Sequence, residues 1–387
     1  MTDYTLDRPV YMDYNATTPV DPQVLETMMP FLTDQFGNPS SGYSLGRQAH
    51  EAIDRARGEV AGLIHCRPDE IVFTSGGSES NNMVLKGIVD MTNPRKCHII
   101  TSAIEHPAIL NPVLYLMELG VEATVLPVDG LGRVDPDDVR EAVSPRTVLI
   151  TVMLANNETG TIQPIREISD VAHEHGIPLH TDAAQAVGKI PVDVGDLGVD
   201  FLTVAGHKLY APKGVGALYI RDGRFLTPLI HGAGQEGGRR AGTENVALAA
   251  GMGAACRIAS QRLETDAERI RTLRDSLQGL LFDGIEGLVL NGRPDCRLPN
   301  TLNISVPGIE GGRILEAIPG LMASTGAACH DRTVKLSHVL AAMHVPAEIG
   351  MGALRLTLGR GTTMEQVETA SRLLIRQVRR MRYAQAG

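Results

Sequence analysis

Residues 177–220 read IPLHTDAAQAVGKIPVDVGDLGVDFLTVAGHKLYAPKGVGALYI. The stretch holds three short apolar runs, Ile177–His180, Asp200–Val204 and Gly216–Ile220, each closed by polar or glycine-bearing residues. Runs of this length bounded by turn formers read as buried strands. The chemistry-bearing residues follow the strands. Asp182, Ala183, Ala184 and Gln185 come after the first, and Gly206, His207 and Lys208 after the second. An Asp among alanines at the end of a buried strand needs a partner to stay ionised, and a Lys in such a place must pair or lose its proton. Asp182 precedes Lys208 by 26 residues, about one βαβ unit, so neighbouring strand ends can present both.

The alternation continues outward. Strands are expected at Ile71–Thr74, His98–Thr101, Thr124–Val128 and Val148–Met153. Ser44–Ile64 repeats apolar residues at Ala49, Ile53, Ala56, Val60 and Leu63, a helical spacing. Asp135-Pro136 reads as an N-cap followed by the first helical residue, and Pro164–His175 as a helix closed by Gly176. Near residue 260 the texture changes. A long polar helix is expected at about Ser260–Leu281, strands near Thr301–Val306 and Leu354–Thr357, and a last helix, Met364–Met381, basic towards its end. The pattern predicts an α/β fold: a large domain, residues 15–260, with a mainly parallel seven-stranded sheet, and a smaller α+β domain of residues 1–14 and 261–387.

Composition narrows the function. The 387 residues carry 36 Lys+Arg against 45 Asp+Glu, a net charge of −9, which argues against direct nucleic-acid binding. Apolar residues at 43% and charged residues at 21% suit a packed soluble chain and not a disordered one. No apolar run approaches the ~20 residues that span a bilayer. The start, MTDYTLDRPVYMDY, has neither the basic nor the apolar region of a secretory signal, so a cytoplasmic location is expected. The five cysteines are odd in number and widely spread, with no CxxC pair, which argues for reduced thiols.

In open α/β sheets ligands bind beyond the carboxyl ends of the strands. Ser75-Gly76-Gly77-Ser78 follows one strand and precedes a helix, where freed backbone N–H groups can hold a phosphate; an ordinary strand–helix turn would look the same. Glu105-His106 follows the next strand, and Asn156-Asn157 with Gly160 follows another. Together these put a phosphate turn, a His, an amide, a carboxylate and a Lys on one edge of one sheet. A desolvated Lys there is a Schiff-base candidate, and a carboxylate is the partner that a pyridinium nitrogen needs. Two competing motifs fail. Gly232–Gly237 matches GxGxxG, but no helical pattern follows it and no acidic residue closes a strand ~20 residues on. His173 and His175, with His180, read as helix-end residues rather than metal ligands, so no metal is expected.

Over nearly its whole length the chain resembles the class V aminotransferase group of fold-type-I pyridoxal 5′-phosphate (PLP) enzymes, and within it the cysteine desulfurase/selenocysteine lyase family. The matching segments include YMDYNATTPVDP (11–22), IVFTSGGSESNN (71–82), TSAIEHPAIL (101–110), MLANNETGTIQPI (153–165), HTDAAQAVGK (180–189), FLTVAGHKLYAPKGVGALYIR (201–221), GQEGGRRAGTENV (234–246), ASTGAACH (323–330) and LRLTLGR (354–360). The resemblance implies that Lys208 forms the Schiff base with PLP, that Asp182 holds the pyridine nitrogen, and that Gln185 donates to the ring oxygen. His106 stacks on the ring and moves protons. Gly77, Ser78 and His207 match phosphate-binding positions, and Thr243 matches a residue that reaches the phosphate of the neighbouring subunit. Asn157 and Arg355 match substrate-holding positions, and Cys329 the catalytic cysteine.

It further implies a homodimer that turns L-cysteine into alanine and leaves the sulfur as a Cys329 persulfide for an acceptor protein. The nearest alternative is a selenocysteine lyase. A conventional aminotransferase and a non-catalytic sulfur-relay protein are the other readings. The chain departs from the desulfurase pattern at Ala205, where Ser or Thr is usual, so that one phosphate contact is either missing or supplied by Thr203 or by water. Ser78 replaces Thr, Pro107 stands where Lys is common, and ASTGAACHD leans towards selenocysteine lyases.

Overall fold

The computed structural model describes residues 9–326 and 336–386. In chain order the strands are β1 Val10–Tyr11, β2 Ile71–Thr74, β3 His98–Ser102, β4 Glu122–Leu126, β5 Thr147–Thr151, β6 Leu179–Asp182, β7 Phe201–Ala205, β8 Gly216–Ile220, β9 Val289–Leu290, β10 Thr301–Ser305, β11 Leu321–Met322 and β12 Ala353–Thr357. Seven of them form the central sheet in the order β2-β8-β7-β6-β5-β3-β4, with β8 antiparallel to both neighbours and the other pairs parallel. β2, β3, β6, β7 and β8 are buried along their whole length, because helices cover both faces. Edge strand β4 opens to solvent.

The helices of this region are α1 Pro22–Leu32, α2 Ser44–Ile64, α3 Gly77–Asp90, α4 Pro107–Glu118, α5 Pro136–Ala142, α6 Ile165–Glu174, α7 Val194–Leu197 and α8 Val246–Gly284. Local chemistry sets their ends. The Asp135 side chain accepts from the Asp137 amide and Pro136 opens α5, as expected. α2 buries Ala49, Ile53, Ala56, Val60 and Leu63 and stops where His65 turns left-handed, at φ 57°. α6 stops before Gly176, at φ +66°.

The strand expected at Thr124–Val128 is Glu122–Leu126, in register with β3, and the last helix, expected to end at Met381, runs to Ala386. Two further expectations also needed correction. The strand expected at Ile177–His180 is Leu179–Asp182. Pro178 has no N–H to give the ladder, and Asp182 is retained because it pairs in register with Thr203. The helix expected from Ser260 starts at Val246 and runs unbroken for 39 residues. Its first turns are so rich in small residues, Ala247 to Ala255, that no apolar stripe marks them in the sequence. They serve close packing: a Cβ on Gly253 would lie 2.6 Å from the Ala56 Cα of α2.

Beyond α8 come α9 Gly311–Glu316, α10 His338–Ala342, α11 Ala347–Gly350 and α12 Met364–Ala386. A second sheet, β12-β10-β9, is antiparallel, and β1 pairs with β11. Its core, separate from the cores on the two faces of the large sheet, joins Val10 and Met12 to Leu273, Leu277, Leu302, Ile304, Leu356 and Val378. The stretch between β1 and α1 crosses from this core to the ends of β6 and β7, and so brings Asn15 beside Lys208.

Candidate active site

Beyond the carboxyl ends of the parallel strands lies a cavity of about 910 Å³. Gly77, Ser78, His106, Asn157, Asp182, Gln185, His207, Lys208 and Arg355 all line it. Thr243 does not; it lies exposed on the loop before α8. Cys329 lies outside the described residues.

Asp182 ends β6, and its Oδ2 accepts from Asn81 Nδ2 of α3 at 2.8 Å, while Oδ1 accepts from the Ala184 amide at 3.0 Å. These bonds hold a nearly buried carboxylate facing the cavity floor. Lys208, in the single turn after β7, donates from Nζ to the carbonyl oxygens of Asn15 at 2.5 Å and Ala16 at 2.7 Å. Burial, aided by the charge of Arg355 and opposed by Asp13 and Asp182, lowers its pKa to about 8. About a tenth is therefore free amine at pH 7, far more than at the ordinary lysine value, which favours Schiff-base formation.

The N-terminus of α3 is the end of the cavity suited to an anion. Gly76 sits at φ +148°, ψ −179°, a conformation open almost only to glycine, and leads into a 14-residue helix whose first residues, Gly77 and Ser78, line the cavity. Gly216 lets this turn approach, since a Cβ there would lie 2.7 Å from the Gly76 Cα. His207 lies beside it, and burial followed by the charge of Lys208 holds its pKa at about 4. Thr203 does not replace the hydroxyl missing at Ala205. Its Oγ1 is fully buried and engaged by His180 Nε2 at 3.1 Å.

His106 caps α4. Its Nδ1 accepts from the Ala108 amide at 3.0 Å, so the neutral ring carries its proton on Nε2. Desolvation holds it below the ordinary imidazole value, with Asp182 pulling the other way and Lys208 reinforcing. Arg355, from β12, reaches Asp13 Oδ1 at 2.7 Å and the Asn157 carbonyl at 3.3 Å; its Nε is buried without a partner among the described residues. The guanidinium fork suits a carboxylate.

Several residues to which the sequence reading gave no role complete the site. Asn15 and Asn81 hold Lys208 and Asp182. Glu105 is fully buried, and its Oε1 accepts from Ser102 Oγ at 2.5 Å and the Met153 amide at 2.8 Å; burial raises its pKa to about 8. Glu158 accepts from Ser337 Oγ at 2.5 Å, and His338 Nε2 lies 3.0 Å from the Glu105 carbonyl oxygen. Most of these partners are more than 100 residues apart in the chain; Asn15, Asn81, Glu105 and Glu158 all lay within the matching segments, but nothing in those segments showed which group each would hold. Burial pushes the thiols of Cys66, Cys97 and Cys256 up, against a role as nucleophile.

The cavity suits PLP by its donor set: a held carboxylate for the ring nitrogen, an amine with a lowered pKa, and a helix N-terminus for the phosphate. A mainly parallel sheet carrying such a set defines a lysine-dependent α/β enzyme of the aminotransferase kind. The aminotransferase class-V family model matches residues 10–369, and the chain belongs to that family. It is 48% identical over 379 residues to the cysteine desulfurase IscS of Dictyoglomus turgidum, covering 97% of this chain and 96% of that one. It is 46% identical to the cysteine desulfurase IscS of Methanosarcina thermophila, covering 98% and 94%. Among solved structures, a NifS-like protein superposes with a TM-score of 0.89 at 37% identity, covering 97% of this chain and 100% of that one. A structure titled SspA in complex with cysteine gives 0.79 at 38%, covering 90% and 98%.

Proposed function

We propose that this chain is a PLP-dependent cysteine desulfurase that converts L-cysteine to L-alanine and passes the sulfur on as a persulfide of Cys329. One observation carries the reading: the amine of Lys208, with its pKa lowered to about 8, and the held carboxylate of Asp182 line one cavity with a helix N-terminus. The curated relatives named above are cysteine desulfurases, and the SspA structure holds cysteine, which favours cysteine over selenocysteine.

PLP, bound through Lys208, supplies the electron sink that makes the α-hydrogen and then the sulfur of the amino acid labile. The chain's residues supply the rest. Asp182 would accept from the pyridine nitrogen, and Gln185 would donate to the ring oxygen. Gly77, Ser78 and His207 would hold the phosphate, and His106 would pack against the ring. Arg355, kept in place by Asp13, takes the α-carboxylate, with Asn157 beside it. Lys208 Nζ, as a free amine, would take the α-proton of the bound amino acid. His106, with its proton on Nε2, is set to donate rather than accept.

A homodimer, in which Thr243 reaches the partner's phosphate site, a cytoplasmic location and a sulfur-acceptor protein belong to the same proposal. Among the described residues no helix is long and apolar enough to cross a membrane. The division into residues 15–260 and residues 1–14 with 261–387 is also proposed, and the separate core around β10 and β12 supports it.

The test is absorbance with alanine, sulfide and selenide assays, run on cysteine and selenocysteine side by side. Wild type should show the visible band of bound PLP and a higher kcat/KM for cysteine. Lys208→Ala should lose the band. Turnover that depends on a 2-oxo acid would instead make the chain an aminotransferase, and a higher kcat/KM for selenocysteine would make it a selenocysteine lyase.

A further inference from the structure

A second lysine stands at this site with no part in the chemistry above. Lys189 Nζ donates to Gln185 Oε1 at 2.7 Å and to Asn15 Oδ1 at 2.9 Å. Both acceptors are amide oxygens, and both residues are nearly fully buried. The Asn15 amide is fixed from its other end, since its Nδ2 donates to Thr301 Oγ1 at 2.9 Å and to the Asn157 carbonyl at 3.1 Å. The Asn15 carbonyl in turn accepts from Gln185 Nε2 at 3.0 Å and from Lys208 Nζ at 2.5 Å. Lys189, Gln185, Asn15 and Lys208 therefore form one continuous polar network.

A carboxamide has nearly the same shape whichever way it is turned, but one end accepts and the other donates. Lys189 and the Asn15 carbonyl together remove that freedom at Gln185. A turned amide would set its oxygen against the Asn15 carbonyl and take from Lys189 Nζ the oxygen to which it donates. The Nε2 end is then held towards the cavity side, with one hydrogen on the Asn15 carbonyl and the second left for a ligand. An amine that serves two oxygens and no carboxylate needs only the two hydrogens of its neutral form. Burial, with Lys208 and Arg355 nearby, pushes its pKa well below the ordinary lysine value in the same sense.

We infer that Lys189 is a positioning residue that acts through Gln185: it fixes the Gln185 carboxamide with its N–H towards the ring oxygen of the cofactor and thereby sets the acidity of the Lys208 nitrogen joined to that cofactor. The inference rests on the PLP reading above. A donor on the ring oxygen favours loss of the Lys208 proton, because the oxygen then carries charge no longer shared with that proton. Losing the donor raises the pH at which the proton leaves. The other charged groups facing Lys208 are Arg355, Asp13, Asp182, His106 and His207. Asp266 and Arg360, with Tyr14 and Tyr210, line the small gap on the Lys189 side. None of these is altered in the test.

The experiment is a pH titration of the visible absorbance, without substrate, for PLP-loaded wild type, Lys189→Met, Lys189→Gln, Gln185→Leu and the double variant Lys189→Met/Gln185→Leu. Thermal melts of the apo-proteins verify folding. The midpoint is expected to rise by about one pH unit in Lys189→Met, and by less in Lys189→Gln, whose carboxamide can restore one donor. The double variant should match Gln185→Leu alone. An unmoved midpoint in whichever lysine variant folds overturns the inference. So do additive shifts, which would make Lys189 a charge acting directly on Lys208. If wild type gains no band, or Lys208→Ala keeps it, the PLP reading falls and the inference with it. A normal band with an unmoved lysine variant overturns the inference alone.

Discussion

At the scale of single residues, the site works by burying amines and carboxyls until their proton affinities suit the task. Lys208 shows this most directly. With a pKa lowered to about 8, its neutral fraction grows as pH rises to that value and levels off beyond it. Stopped-flow capture of PLP by apo-protein should therefore speed up towards pH 8 and plateau, whereas a climb continuing to pH 10 would mean an ordinary lysine. Glu105 moves the other way. Its ordinary value of 4.5 rises to about 8 on folding, so the folded state keeps a proton that the unfolded chain releases between those limits. Stability from this group is full below pH 4.5 and is lost as pH rises through 8. Glu105→Gln keeps an acceptor for Ser102 and Met153 and removes the titration. Urea midpoints of wild type should fall relative to Glu105→Gln between pH 5 and pH 8, and parallel curves would show that Glu105 is ionised in the fold. Asp182 and Lys208 were legible in the sequence because each ends an apolar strand, where a charge is conspicuous. Asn81 was not, because the bond that holds Asp182 spans 101 residues and exists only once α3 lies against β6.

At the scale of elements, two glycines show how backbone freedom places chemistry. Gly76 stands at φ +148° in a region that side chains rarely enter, and a Cβ there would meet nothing within 4 Å. Gly76→Ala should cost about 1–3 kcal/mol from the backbone alone, and it should weaken PLP binding several-fold by turning the first amides of α3 away from the phosphate. Isothermal titration of apo-protein checks this; unchanged affinity would mean that the helix end does not hold the phosphate. Gly253 is the packing counterpart. Its Cβ would press on the Ala56 backbone, so Gly253→Leu must part α8 from α2, at about 1–3 kcal/mol or more, read as a lower urea midpoint. α2 was legible because its apolar residues recur at helical spacing. The first turns of α8 were not, because alanines and glycines packed on every side leave no stripe to read.

At the scale of the whole molecule, the role proposed for Thr243 does not fit inside a single chain. Thr243 lies exposed and off the cavity, yet the segment carrying it is anchored close by, with Arg240 Nε on Glu79 Oε1 of α3 at 2.8 Å. If Thr243 binds phosphate at all, it does so across a dimer, and each site then takes Lys208 from one chain and Thr243 from the other. Such sharing leaves a signature in mixed dimers. Lys208→Ala chains cannot join PLP, and Thr243→Ala chains should bind it several-fold more weakly as homodimers. When the two are refolded together, the heterodimer contains one site with both residues intact and one with neither. Titration of the mixture should reveal a fraction of sites with wild-type affinity, although neither parent has any. Their number should fall on dilution, as the dimers dissociate, because binding and assembly are linked by mass action. A mixture that binds as the plain sum of its parents would confine Thr243 to its own chain and leave the phosphate to α3 and His207.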